Sequence, residues 1–74
     1  MSDHVYRTIE LVGTSSEGID AAIQNAVSRA SESIPQIGWF EVTQIRGHVN
    51  EGQVAHYQVS LKVGHRLEGA PQPQ

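Results

Sequence analysis

The stretch GWFEVTQIRGHVNEGQVAHYQVSLKVG, residues 38–64, decides the fold because it predicts two long strands joined by a turn. On each side of NEGQ, residues 50–53, β-branched and aromatic residues alternate with polar ones, which is typical of strands. Asn50 and Gly52 favour a turn. The chain's single Trp and single Phe stand here side by side, as Trp39 and Phe40. Neighbours in a strand point to opposite faces of a sheet, so only one of these rings can enter the core.

The register of this hairpin decides which ring is buried. The pairs expected across the turn are Val49 with Val54, Thr43 with Ser60, and Glu41 with Lys62. One face then carries Phe40, Val42, Tyr57, Val59, Leu61 and Val63. The other face carries Trp39, Glu41, Thr43, Ile45, Gln58, Ser60 and Lys62. The first face is the apolar one, so we expect Phe40 to lie under a helix and Trp39 to lie on the open face. This assignment depends on the register, because a shift of one residue would mix apolar and polar residues on both faces.

The residues before the hairpin predict a strand followed by a helix. Residues 4–13, HVYRTIELVG, are rich in β-branched and aromatic residues and end at Gly13, although their pattern does not show which face is inside. The helix is expected to begin with a capping box from Thr14 to Glu17, with Ser15 and Ser16 as alternative caps, and to be stopped by Pro35. Its apolar positions recur at helical spacing and form one stripe, Ile19, Ala22, Ile23, Ala26, Val27, Ala30 and Ile34.

The element order β-α-β-β predicts a small α+β domain over residues 1–68, with a three-stranded antiparallel sheet partly wrapped around one helix. Residues 69–74 contain only Gly, Ala, Pro and Gln and are expected to form a disordered tail. A 74-residue chain without Cys has no disulfide or thiolate metal site to supplement its small core. We therefore expect the chain to form an oligomer.

Charge and composition argue against several functional classes. The formal net charge is −3, whereas general binding to nucleic acids or anionic membranes needs a basic surface. No apolar segment approaches the length of a membrane span, and the N-terminus does not resemble a secretory signal, so a cytoplasmic location is expected. No phosphate-binding Gly-rich loop, nucleophile elbow or paired-carboxylate motif is present, so no enzymatic activity is predicted.

The exposed Trp39 has two interpretations that the pattern leaves open. A large exposed aromatic residue on a small domain often packs against another subunit. Alternatively, the indole is a stacking platform for a planar ligand, and Gln58 on the same face can hydrogen-bond the edge of a heterocycle. Both interpretations hold together if the ligand lies at a subunit interface.

The histidines and the basic residues carry weaker signals. The four histidines are not on metal-ligand spacing, and His48 and His56 lie on opposite faces in this register, so no metal site is predicted. The basic residues are ordinary solvated charges unless a phosphate-bearing cofactor recruits some of them. They are Arg7, Arg29, Arg46, Lys62 and Arg66.

Three stretches of the sequence, ELVGTSSEGIDAAIQNAVSRA, WFEVTQIRG and YQVSLKVGHRLE, together resemble the bacterial dodecins. The resemblance runs from about His4 to Glu68, with the same element order. It implies a flavin-binding protein, not an enzyme, that assembles into a hollow dodecamer and stores flavin. Flavins, here flavin mononucleotide (FMN), would stack in pairs between Trp side chains of neighbouring subunits. A small flavoenzyme and a protein-interaction module remain the alternatives.

The resemblance also implies roles for individual residues. Trp39 stands at the stacking tryptophan, Gln58 at the residue that hydrogen-bonds the isoalloxazine ring, and Arg46 near the FMN phosphate. Bacterial dodecins also bind coenzyme A, and the residues that would contribute to that site are Arg7, Arg29, Arg66 and Glu68. The sequence departs from the family at His65, where Phe is common.

Overall fold

A computed structural model of the chain describes residues 3–67. The elements in chain order are β1 (Tyr6–Ser15), α1 (Ile19–Ser31), β2 (Ile37–Asn50) and β3 (Gln53–Arg66). The strands form one antiparallel sheet in the order β1-β3-β2, with β3 in the centre. The predicted β-α-β-β order and α+β class are confirmed. The predicted tail, residues 69–74, and the end of the predicted domain at residue 68 lie outside the described residues.

The core lies between α1 and one face of the sheet. Its fully or nearly buried side chains are Ala22, Ala26, Ala30, Val59, Leu61 and Val63. Because the helix presents alanines, it lies close to β1. At Gly13, opposite the helix, a Cβ would overlap the Ala22 carbonyl oxygen and lie 2.9 Å from the Ala26 Cβ. The predicted apolar stripe is confirmed from Ile19 to Ala30, but Ile34 lies beyond the end of the helix at Ser31, and its predicted place in the stripe is wrong. Ile9 and Leu11 identify the inner face of β1.

Both ends of α1 differ from the prediction. The capping box is wrong because Thr14 still belongs to β1, which continues to Ser15. Ser15 and Ser16 are not caps either, because Gly18 stands at the N-cap position and no side chain among residues 3–67 caps the helix. The Ser15 hydroxyl accepts a 2.9 Å hydrogen bond from the Glu17 amide, so it stabilises the turn between β1 and α1. The helix ends at Ser31, before Pro35 is reached.

The turn of the hairpin is formed by two residues with left-handed backbone conformations. Asn50 pairs with Gln53, and between them Glu51 has φ 53° and Gly52 has φ 78°. Two consecutive positive φ values are the signature of a type I′ turn, whose twist matches that of the flanking strands. The predicted turn and the predicted pairs Val49–Val54 and Glu41–Lys62 are confirmed.

Two irregularities in the pairing of β2 with β3 change the register between these confirmed pairs. They lie between Val42 and Gln44 and between His48 and Val49. As a result Gln44, not Thr43, pairs with Ser60, and the predicted pair is wrong. The extra residue, Thr43, still contacts β3, because its hydroxyl donates a 3.1 Å hydrogen bond to the Ser60 carbonyl.

The same irregularity moves Ile45 to the helix side of the sheet, where it pairs with the buried Val59. Its predicted place on the Trp39 face is therefore wrong. A regular strand alternates faces, and one inserted residue reverses the faces of the residues that follow it on the same strand.

The prediction that Phe40 lies under the helix is also wrong. Phe40 pairs with Val63 and shares its face, but it is 49% exposed. Helix α1 lies mainly over β1 and β3, and the edge strand β2 reaches the core only through Ile37 and Val42. Ile45 and Val49 are likewise exposed on this side. One chain therefore leaves much of the apolar helix side of β2 uncovered.

The part of the chain that the structure describes contains no helix long and apolar enough to cross a membrane.

Candidate functional site

Trp39 lies on the open face of the sheet, directly over Gly64 of the central strand. The two residues are cross-strand partners. Gly64 follows Val63, which faces the core, so Gly64 faces the open side of the sheet. A Cβ built on Gly64 would overlap the indole atoms Cε2 and Cζ2 and would lie 2.7 Å from Cη2. The indole therefore lies against the backbone of Gly64. Trp39 nevertheless stays 40% exposed, so the indole is supported by the sheet and accessible to a ligand.

Tyr6 is the aromatic neighbour of Trp39. The ring centroids are 6.0 Å apart with an interplanar angle of 49°, a tilted contact typical of favourable aromatic pairs. Tyr6 stands at the start of β1, on the same face as Trp39, and is 41% exposed. This contact limits the movement of the indole along the sheet.

Gln58 and Arg46 form the second polar part of the open face. The irregularity after Val42 makes them direct cross-strand partners. Arg46 Nε donates a 3.1 Å hydrogen bond to Gln58 Oε1. This bond orients the Gln58 amide, whose Nε2 group remains a donor for a ligand, and it leaves the terminal guanidinium nitrogens of Arg46 for an anion.

Trp39 and Gln58 are far apart within one chain. Gly64, under the indole, is six residues from Gln58 along β3, which corresponds to about 20 Å in an extended strand. A single fused three-ring ligand cannot touch both side chains of the same chain. Any site that uses both must combine Trp39 of one copy with Gln58 of another.

The other predicted site residues are dispersed. Arg66 pairs with Tyr6 on the open face, near Trp39, whereas Arg7 pairs with His65 on the helix side of the same end of the sheet. Arg29 lies in the last turn of α1, with its side chain 83% exposed and 4.0 Å from a Glu32 carboxylate oxygen. Glu68 lies outside the described residues.

Two features of the open face were missed or mistaken at the sequence level. The role of Gly64 was missed, and the signal for it was a glycine within a strand, which often marks a close approach of another group. His48 and His56 were expected on opposite faces, but they are direct cross-strand partners with stacked rings. The irregularity after Val42 shifts the register by one residue for the pairs from Gln44 to His48. His48 therefore pairs with His56, and both histidines lie on the open face.

His65 lies on the helix side of the central strand β3. Its cross-strand partners are Arg7 on β1 and Ile37 on β2. Its Nδ1 atom is buried and has no hydrogen-bond partner among residues 3–67. A buried polar atom without a partner costs stability, and nothing in the described part of the chain offsets that cost here.

Comparison with known proteins agrees with this architecture. The family model described as Dodecin matches residues 5–68. A dodecin of Thermus thermophilus is 55% identical over 64 residues, which cover 86% of this chain and 93% of that protein. The solved dodecin of Streptomyces coelicolor is 57% identical, with a TM-score of 0.87 over 95% of this chain and all of that one. The dodecin of Streptomyces davaonensis is 51% identical, with a TM-score of 0.86 over 92% of this chain and all of that one. The chain therefore belongs to the dodecin family, which is known for binding flavins.

Proposed function

We propose that this protein binds FMN and stores it in a hollow dodecamer, with flavins stacked on Trp39 at contacts between copies. The observation that carries the proposal is the indole of Trp39, which lies against Gly64 and leaves its outer face accessible. A flat ligand on that face gains contact area without moving the side chain, because the sheet already holds the ring in place. Such preorganisation lowers the entropic cost of binding.

The chemistry of the indole suits an oxidised flavin. An electron-rich indole against an electron-poor isoalloxazine combines dispersion with charge transfer, and aromatic stacking contributes about 0.5–1.5 kcal/mol beyond area burial. Electron transfer from Trp39 to the excited flavin would quench its fluorescence. The bound flavin would then be photochemically inert, which suits storage and not catalysis.

The requirement for more than one copy follows from two observations. Trp39 and Gln58 are about 20 Å apart along the sheet, so a flavin held by both joins two chains. The helix side of β2 also exposes Phe40, Ile45 and Val49, which are 49%, 52% and 65% exposed. An apolar surface of this kind favours burial against another copy.

Coenzyme A is the second ligand that we propose. Its phosphates require exposed cations, and the side chains of Arg7 and Arg29 are exposed. The 4.0 Å contact between Arg29 and Glu32 is a loose surface pair and would not compete strongly with a phosphate. Mass spectrometry of the ligands released from purified protein tests this part, and Arg29→Ala should reduce the coenzyme A content without changing the FMN content.

The stacking is tested by titrating FMN and following its fluorescence. The wild type should quench the flavin, and Trp39→Ala should lower the affinity and restore fluorescence in the residual complex. Trp39→Phe is the comparison variant, because it keeps a flat ring over Gly64 but removes the electron-rich indole, so it should retain more FMN affinity than Trp39→Ala. Size-exclusion chromatography of each variant separates loss of assembly from loss of stacking. Unchanged quenching in Trp39→Ala would contradict the proposal.

The contribution of two copies is tested by mixing variants. Trp39→Ala and Gln58→Ala are unfolded together and refolded into mixed assemblies. If Trp39 and Gln58 of different chains form each site, about a quarter of the sites regain both side chains in a random equal mixture. If both came from one chain, no site would recover. Turnover of a nicotinamide cofactor by the loaded protein would instead favour a flavoenzyme, and a colourless protein that ignores flavin would favour an interaction module.

A further inference from the structure

The stacked histidine pair lies near the turn end of the hairpin, outside the proposed flavin contacts. His48 on β2 and His56 on β3 are direct cross-strand partners. Their ring centroids are 5.3 Å apart and the ring planes are within 9° of parallel. His48 is exposed and His56 is half-buried, so water and small ions reach both rings.

This spacing matches that of two imidazoles bound to one metal ion. With metal–nitrogen distances of about 2.0–2.1 Å and tetrahedral angles, two ligating imidazoles have centroids about 5 Å apart. The rings are stacked in this structure, so their lone pairs converge only after rotation about χ2. That torsion is soft in histidine, and cross-strand positions already hold the two Cβ atoms close together.

Arg46, the nearest basic residue along β2, lies two residues from His48 on the same face. Its Nε is bonded to the neutral Gln58 amide, so Arg46 keeps its positive charge and repels a cation at the histidines, although solvent screens this repulsion because His48 is exposed. Among residues 3–67 no group of three or more His, Asp and Glu side chains gathers into a metal-binding cluster, so a metal ion here would have two protein ligands. The remaining positions would hold water, which makes the site open and exchangeable.

We propose that His48 and His56 form a two-histidine site for a borderline divalent transition-metal ion such as Zn²⁺. Neutral imidazole suits these ions, whereas Mg²⁺ and Ca²⁺ prefer oxygen ligands. This inference does not depend on flavin binding and can be tested on the flavin-free protein.

The test is calorimetric titration of the untagged, full-length protein with Zn²⁺ at neutral pH, with Mg²⁺ as a comparison ion. We expect one Zn²⁺ per chain, no comparable Mg²⁺ binding, and a melting temperature that rises with Zn²⁺ concentration. His48→Ala and His56→Ala should each raise the Zn²⁺ dissociation constant tenfold or more, since each removes half of the protein ligands. His4→Ala, which removes an exposed histidine before β1, should leave the site unchanged.

A second pair of variants separates ligation from simple ring stacking. His48→Phe and His56→Phe keep an aromatic ring at each position but remove the ligating nitrogens. Both should fold and lose the Zn²⁺ site. Retention of wild-type Zn²⁺ affinity by these variants, or a stoichiometry of one ion per two chains, would overturn a site built from the two histidines of one chain.

Discussion

Replacing Gly64 with Ala should push the Trp39 indole off the sheet. The added methyl group would overlap two indole atoms and would lie 2.7 Å from a third, whereas carbon atoms pack at about 3.5–4.0 Å. The backbone of β3 cannot yield easily, because hydrogen-bonded strands hold it on both sides. The ring must therefore retreat by about 1 Å or more.

The cost of this retreat is bounded by the area that the indole buries. Trp39 is 40% exposed and so buries an area of about 150 Å². At about 25 cal/mol per Å², complete displacement would cost about 4 kcal/mol. A retreat of about 1 Å gives up only part of that contact, so we expect a loss of about 1–2 kcal/mol in the free energy of unfolding.

Trp39 reports its own position because it is the only tryptophan. In the flavin-free Gly64→Ala protein, its emission should shift to the red, acrylamide quenching should increase, and the urea midpoint should fall. FMN affinity should fall as well, because the stacking surface is no longer held in place. All variants are compared at one protein concentration, since assembly makes stability concentration-dependent.

The matched control is Gly38→Ala. A Cβ at Gly38 would lie 3.4 Å from Tyr6 Cε2, an ordinary contact, so this variant measures the intrinsic effect of exchanging glycine for alanine in a strand of this sheet. If Gly64→Ala kept the wild-type emission and urea midpoint, the indole would not lie against Gly64, and our account of the site would be refuted.

Three further predictions concern the free energy of unfolding, measured for each variant by urea unfolding. Gly13→Ala should lower it by about 2 kcal/mol, because the added Cβ would overlap the Ala22 carbonyl and force α1 away from β1. An unchanged urea midpoint would contradict this close approach. His65→Phe should raise the free energy of unfolding by about 1–3 kcal/mol, since it removes the buried Nδ1 atom that has no hydrogen-bond partner among residues 3–67. A decrease would indicate that another copy in the assembly supplies a partner. Glu51→Asn should raise the free energy of unfolding by up to about 1 kcal/mol, because Asn tolerates the left-handed backbone that Glu51 adopts at φ 53°. An unchanged value would mean that this conformation carries little strain.

The hairpin shows how far local pattern reaches. Alternation along β2 and β3 was sufficient to place Trp39 on the open face and Val59 and Val63 in the core, and NEGQ was sufficient to locate the turn. The predicted register is wrong between Val42 and Val49, because one irregularity shifts the pairing and a second one compensates for it. The expected pairs are therefore found both at the turn and at Glu41, on either side of the shifted segment. An inserted residue leaves the average alternation almost unchanged, so nothing in the sequence marks where it lies.

Sequence periodicity was enough to establish the β-α-β-β order, the apolar stripe of α1 and the exposure of the indole, because these depend on contacts within an element or between neighbours. The folded chain was needed to show that Arg46 meets Gln58, that His48 stacks on His56 and that Gly64 supports Trp39. It was also needed to show that α1 leaves Phe40 uncovered. These features depend on cross-strand register and on the position of a helix over a sheet, which arise from packing of distant segments and have no local signature.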